Sequence, residues 1–246
     1  MGYVSSAAKS GGSSTVNTLT LSNFVITGNL LLVKVGHRGS DQSVSGIMWN
    51  TSEALTKLDN VSSGTNEAKA EIWYLKNPTV KTANIVISLT GAVYVCATAM
   101  DISGAAVYGT TFGAVSKDGS ISNSSSLSVA AAVGDLLVDI LAKKFSDTTD
   151  GAISPNGTLR QTSKTTNATD DNNIYVGIST QIATTNPQTM SWSWTSGNRY
   201  KAQIGVAVKP APGPAGIKTV NGIAIASVKT INGIAIANVK SIQRLT

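Results

Sequence analysis

Two stretches decide the fold: Gly28-Asn29-Leu30-Leu31-Leu32-Val33-Lys34-Val35, closed by Gly36, and Gly134-Asp135-Leu136-Leu137-Val138-Asp139-Ile140-Leu141. Short apolar runs bounded by glycine read as core strands. The second stretch repeats the first at an offset of 106 residues, and Leu21 and Leu127 match at the same offset. Ile87-Ser88-Leu89 resembles Trp192-Ser193-Trp194, and Ala99-Met100-Asp101-Ile102 falls against Gly205-Val206-Ala207-Val208. Self-similarity at a fixed offset marks a repeated unit. Two β units of similar strand order are therefore expected, packed face to face as a sandwich of jelly-roll type.

Working outward, strands are expected over 71–75, 84–89, 93–102, 174–182, 189–194 and 200–208. The Ser/Thr/Asn/Asp/Gly stretches 116–126 and 146–157 read as loops. No window carries a helical period with caps, although 51–58 has room for one helical turn. The fold class is all-β, with a jelly-roll-like sandwich over 1–209 and similar halves over 15–105 and 120–209. Residues 210–216, Pro-Ala-Pro-Gly-Pro-Ala-Gly, form an extended, semi-rigid linker.

Beyond the linker, 217–246 repeats a phrase every 11 residues. Ile217-Lys218-Thr219-Val220-Asn221-Gly222-Ile223 returns as Val228-Lys229-Thr230-Ile231-Asn232-Gly233-Ile234, then fades through Val239 and Ile242. Asn-Gly between β-formers is the strongest short hairpin signal, because a type I′ turn needs positive φ at both central residues. Two such turns predict a three-stranded meander over about 217–220, 223–231 and 234–242. Ile223, Ile225 and Ile231 share one face of its central strand, interrupted by Ser227 and Lys229, while Ala224, Ala226, Val228 and Thr230 share the other, so both faces are moderately apolar.

A sheet of this size, apolar on both faces, buries too little to stand in water alone. It needs a second surface, from symmetry mates or from another protein. The contact is expected to involve Ile217, Val220, Ile223, Ile225, Val228, Ile231, Ile234, Ile236, Val239 and Ile242, with Asn221, Gly222, Asn232 and Gly233 setting the turns. A homo-oligomer is expected, with a trimer the simplest closed arrangement.

Composition narrows the function. Charged residues make up 13% of the 246, about half the usual share, on a chain that is 41% apolar. Residues 1–171 carry 12 Lys/Arg and all 13 Asp/Glu, whereas 172–246 carry 7 Lys/Arg and no acid. Such asymmetry points the C-terminal part towards an acidic partner. The basic residues sit singly, without aromatic interleaving or a binding motif, which argues against nucleic acid. No segment approaches the roughly 20 apolar residues of a membrane span. The start, Met1-Gly2-Tyr3-Val4-Ser5-Ser6, lacks the basic flank and apolar core of a secretory signal, so synthesis in a cytoplasm is expected.

Catalytic chemistry finds little footing. Cys96 is the single cysteine and lies in the apolar run 93–97, which suits a buried thiol. His37 is the single histidine, and its neighbours Ser40 and Asp41 are adjacent in sequence without the convergence a triad needs; 37–41 reads as a turn. Asp147/Asp150 and Asp170/Asp171 lie in polar stretches and match no calcium loop. No enzyme activity, cofactor or metal is expected. Trp192 and Trp194 share one strand face, as core or, if exposed, as platforms for stacking a glycan.

The succession GNLLLVKV, MWNTSEALTKL, EIWYLKNP and MDISGA resembles a β-sandwich family of tailed-phage virion proteins and bacterial surface proteins. In that family the middle motifs run to "ALT" and "ELWYL..P". The resemblance spans about residues 15–210, including GDLLVDIL and IGVAVKP, and the NGIAIA tail is similar to repeats ending phage structural proteins. It implies a non-enzymatic structural protein at the virion surface, of capsid-decoration or head-fibre type. The repeat would then attach it to other capsid or tail proteins or build a homo-oligomer. The alternative it implies is a tail-associated adhesin or bacterial surface module that binds a host glycan. The family has no catalytic residues to carry over.

Overall fold

Lys34 and Asp139 interrupt the two runs that start the fold, yet every position from Leu30 to His37 and from Leu136 to Lys143 is buried. Strands covered on both faces read as near-continuous apolar runs rather than alternations. In this computed structural model residues 2–10, 15–38, 42–145, 151–165, 173–195, 197–211, 219–220, 223–224, 230–231 and 234–235 are described. For 2–10 and for the residues beyond 211 the description is of the backbone.

The first half holds β1 (Gly2–Ser10), β2 (Val16–Val25), β3 (Leu30–Arg38), β4 (Val44–Trp49), β5 (Glu53–Ala54), β6 (Thr56–Ser62), β7 (Ala68–Lys76) and β8 (Thr82–Ser103). Residues 82–93 of β8 pair with β2 and β4, and residues 94–103 pair with β1 and β3. One long strand thus crosses from a small sheet, β2-β8-β4-β5, into a large one, β1-β8-β3-β7-β6.

The second half holds β9 (Ser116–Ser122), β10 (Ser124–Val129), β11 (Leu136–Phe145), β12 (Ser154–Pro155), β13 (Thr158–Lys164), β14 (Asn173–Ile182), β15 (Gln188–Ser193) and β16 (Arg199–Val208). Its sheets are β9-β16-β11-β14-β13 and β10-β15-β12. The order is that of the first half, with the path of β8 divided between β15 and β16. Each half is thus a jelly roll of its own, its first strand beside its last and its second beside the next to last. Sequence predicts two halves that together make one sandwich. The two halves do pack face to face through their large sheets, and each half in addition closes a smaller sandwich of its own.

The seam between them is apolar. Leu30, Leu32, Ala70, Ile72, Met100 and Ile102 meet Leu136, Val138, Ile140, Val176, Ile178 and Ile204, all buried. β1 lies over β13, β7 over β16 and β6 over β9, so the strand orders run in opposite directions across the seam. Gly36 sits where a Cβ would collide with Val176 and crowd Ala142, its own counterpart in the repeat; Gly119 on β9 faces the Ser62 carbonyl on β6 just as closely. Tyr74 stacks edge-on with Phe112 near the starts of β3 and β11, 4.9 Å between centroids, and Glu67 pairs with Lys144 near their ends. β3 and β11 therefore run the same way, and equivalent connections of both jelly rolls emerge at the same end.

Four local expectations are corrected. Residues 51–58 hold no helical turn: Asn50 and Thr51 adopt positive φ, and β5 and β6 follow. The expected loop 116–126 is β9 and the start of β10, edge strands whose serines alternate with inward residues. The stretch 84–102 is one strand, not two, and His37 with Arg38 continues β3 rather than opening a turn. Pro210 bridges Ala105 and belongs to the first compact unit, Met1–Pro210; Ala211–Thr246 form the second.

In the second unit β17 (Thr219–Val220) pairs with β18 (Ile223–Ala224), and β19 (Thr230–Ile231) with β20 (Ile234–Ala235). Val220↔Ile223 and Ile231↔Ile234 flank the two Asn-Gly pairs, in the register of two-residue hairpins. Residues 225–229, the middle of the expected central strand, lie outside the described residues.

Candidate functional site

Inside the first jelly roll, period-2 alternation points His37 and Glu71 inward from neighbouring strands, as diagonal partners across β3 and β7. Glu71 Oε1 lies 3.2 Å from His37 Nε2 and accepts the Val44 N–H at 3.0 Å. Oε2 accepts Trp73 Nε1 at 3.1 Å and Lys57 Nζ at 2.8 Å. Burial works to raise the Glu71 carboxyl, but His37, Lys57 and Val44 outweigh it and hold the group down at about 2. Lys57 Nζ also stands 5.0 Å over the Trp73 ring. A cavity of about 150 Å³ opens beside this cluster, lined by residues including Gln42, Ser43, Asn60, Lys69 and Glu71.

The second jelly roll has its own buried acid. Asp139 Oδ1 accepts Ser179 N at 3.1 Å and Ser179 Oγ at 2.6 Å, while Oδ2 accepts Trp192 Nε1 at 2.7 Å and Gln203 Nε2 at 2.8 Å. The Gln203 carbonyl oxygen takes the Ser125 hydroxyl. One carboxylate thus joins strands of both sheets. Burial pushes the Asp139 carboxyl up, and the Ser179, Trp192 and Gln203 donors together with Lys34 oppose that shift. Lys34, wholly buried in the seam, contacts Met100 Sδ; burial drives its ammonium down to about 7 against the pull of Asp139.

Neither cluster is arranged for acid–base catalysis. A general base needs a free lone pair within reach of a substrate proton. The oxygens of Glu71 and Asp139 are committed to four donors each, and Asp139 is fully buried. Cys96 is buried with its Sγ donating to the Ile174 carbonyl at 3.5 Å, and burial raises its thiol well above the ordinary value, so it is no nucleophile.

The two tryptophans are core. Trp192 is 1% and Trp194 8% exposed, and the indole N–H groups go to Asp139 and to the Gly197 carbonyl. The alternation that puts both on one face points that face inward, so the glycan-stacking role expected of an exposed pair is not available to them. What faces outward is hydroxyl. Ser124, Ser193 and Ser154 align across β10, β15 and β12, with Ser126 opposite Ser191 in the next row. Together with Asn156 they line a shallow groove of about 340 Å³ that no charged side chain enters among the described residues.

No family model, curated protein or solved structure matches the chain. What it does has to be read from its own residues.

Of the tail positions expected to make the contact, Val220, Ile223, Ile231 and Ile234 stand in the paired strands. Ile217, Asn221, Gly222, Ile225, Val228, Asn232, Gly233, Ile236, Val239 and Ile242 lie outside the described residues, as do Asp147, Asp150, Asp170 and Asp171. Among the described residues no three His, Cys, Asp or Glu side chains gather as a metal site would require. The hydroxyl groove and the Asp139 network are the features that sequence reading missed. An aspartate in mid-strand, Asp139 within Leu136–Leu141, is the visible signal for the network, and serines at 124, 126 and 128 are the signal for the groove.

Proposed function

We propose that this chain is a non-enzymatic structural protein of a virion surface, displaying a double jelly roll and held in place through its C-terminal repeat as a homo-oligomer. The observation that carries this reading is the division of the chain. The unit ending at Pro210 closes four apolar clusters of its own and gives its buried acids internal hydrogen-bond partners. Beyond it comes a segment whose strand pairings recur every 11 residues and whose sequence is rich in Ile, Val and Ala. Two-residue hairpins of this length are marginal alone and gain stability from a second sheet. The virion setting draws its support from the resemblance of the GNLLLVKV to MDISGA succession and of the NGIAIA tail. Removing 213–246 is expected to leave the thermal transition of the jelly rolls in place and to abolish incorporation into particles. A truncated chain that is incorporated normally overturns the proposal.

A second reading, recognition of a host glycan, is favoured by the hydroxyl-lined groove over β10, β12 and β15. Ser126→Arg or Ser193→Arg should then remove binding on a glycan array; the absence of any bound glycan, or binding indifferent to both changes, counts against it.

A further inference from the structure

The small sheet of the second jelly roll departs from its counterpart in the first. In the first, β4 runs for six residues beside β8; in the second, the corresponding β12 has two residues and pairs only Ser154 with Ser193 and Pro155 with Trp192. Beyond it the side chain of Asn156 stands in for the missing strand. Its Oδ1 accepts the Ser191 N–H at 2.8 Å, its Nδ2 donates to the Thr189 carbonyl at 3.0 Å, and its own N–H donates to the Ser191 carbonyl at 2.9 Å. The backbone groups that a longer β12 would meet are therefore occupied. An incoming peptide finds no open ladder to extend between Thr189 and Ser191.

What the shortened strand leaves is the groove of about 340 Å³ over β10, β15 and β12. Its floor is fixed from beneath, since Ser125 turns inward to Gln203 and Trp192 is anchored on Asp139. Its walls carry hydroxyls. Ser126 and Ser191 lie opposite each other in the register of β10 and β15, and neither hydroxyl is engaged by another described residue.

Such a lining selects by charge. A carboxylate, sulfate or phosphate on a ligand would lose water here without meeting a cation, because no charged side chain among the described residues lines the groove. A cationic ligand calls for an acid or an open aromatic face, and Trp192 is only 1% exposed. A neutral polyol, whose hydroxyls donate and accept as those of serine do, meets a matching surface.

We propose that this groove binds an uncharged glycan, held by hydrogen bonds to Ser126 and Ser191 rather than by aromatic stacking. The proposal rests on the glycan reading above and adds to it the class of ligand and the side chains that meet it.

The full-length chain, with Ser126→Ala and Ser191→Ala variants, is tested on arrays carrying neutral oligosaccharides and their sialylated and sulfated counterparts, at low and high salt. Ser126 is exposed and Ser191 half-buried, so both variants are expected to keep the melting temperature of the parent. Binding confined to neutral probes and indifferent to salt is expected, with each variant weakening it by about five-fold. Preference for the anionic probes, or binding lost at high salt, overturns the neutral class and leaves glycan recognition standing. Neutral binding that both variants leave intact overturns the groove as its site. Absence of binding on either panel overturns both the proposal and the reading it rests on.

Discussion

Where the first jelly roll places Val33, the second places Asp139, at the same point of the same strand in the same topology. Val33 belongs to a single aliphatic and aromatic cluster with Leu31, Trp49, Trp73 and Ile87. In the second jelly roll the interior falls into two smaller clusters, one around Leu127 and Met190 and one around Trp192 and Trp194, with the Asp139 network between them. The exchange is reciprocal. Glu71 of the first jelly roll has Gly177 as its counterpart, where a Cβ would come within 2.7 Å of the Trp192 ring. Identical strand order therefore does not require identical cores. What it requires is that each inward position be filled and each inward polar atom be bonded.

That contrast can be broken from either side. The largest effect is expected at Asp139→Ala, which leaves Ser179, Trp192 and Gln203 without their shared acceptor inside a closed core. Loss of about 4 kcal/mol in a chemical denaturation series is expected. A loss below about 1 kcal/mol would mean that the network contributes nothing that an apolar core does not.

Lys34 comes next, because it is a charge wholly buried in the seam. Its ammonium is depressed to about 7 from 10.5, so between those values the unfolded chain binds the extra proton. Stability therefore rises with pH through that window, and the penalty is complete below it. Lys34→Met is expected to add about 3 kcal/mol at pH 6 and nothing by about pH 10.5. An increment independent of pH would disprove the assignment.

The smallest effect is at Glu71→Gln in the first jelly roll. Its carboxyl is held at about 2 against 4.5, so its contribution is present above the unfolded value and is lost as pH falls towards 2. Lys57 is a third exposed and its share is screened. A loss of about 2 kcal/mol at pH 7 that disappears near pH 2 is expected from thermal melts across that range.

Much of the fold was legible in the chain. Strands buried on both faces, β3 and β11, announce themselves as apolar runs, and their repetition at 106 residues revealed the duplication. The outer and edge strands did not. β9, β10 and β13 bury one face at most, so their serines and threonines imitate loop composition. That each half closes by itself was hidden for the same reason: the small sheets that complete each jelly roll are built largely from such strands. His37 reads as part of a turn in the sequence because its partner, Glu71, lies 34 residues away and contact at that range leaves no local mark. The aromatic pair Trp192/Trp194 was correctly placed on one face, but alternation alone does not say which way a face points. In the tail, Val220 pairs with Ile223 and Ile231 with Ile234 on either side of each Asn-Gly, while the rest of the expected meander lies outside the described residues.

The central claim is that the double jelly roll is self-sufficient and that 211–246 alone drives assembly. Native mass spectrometry of the full-length chain beside residues 1–210, with thermal melts of both, tests it most directly. The expected result is a homo-oligomer for the full chain and a monomer for 1–210, with melting temperatures of the body within a few degrees. Equal assembly states for the two chains, or an unfolded 1–210, would contradict it.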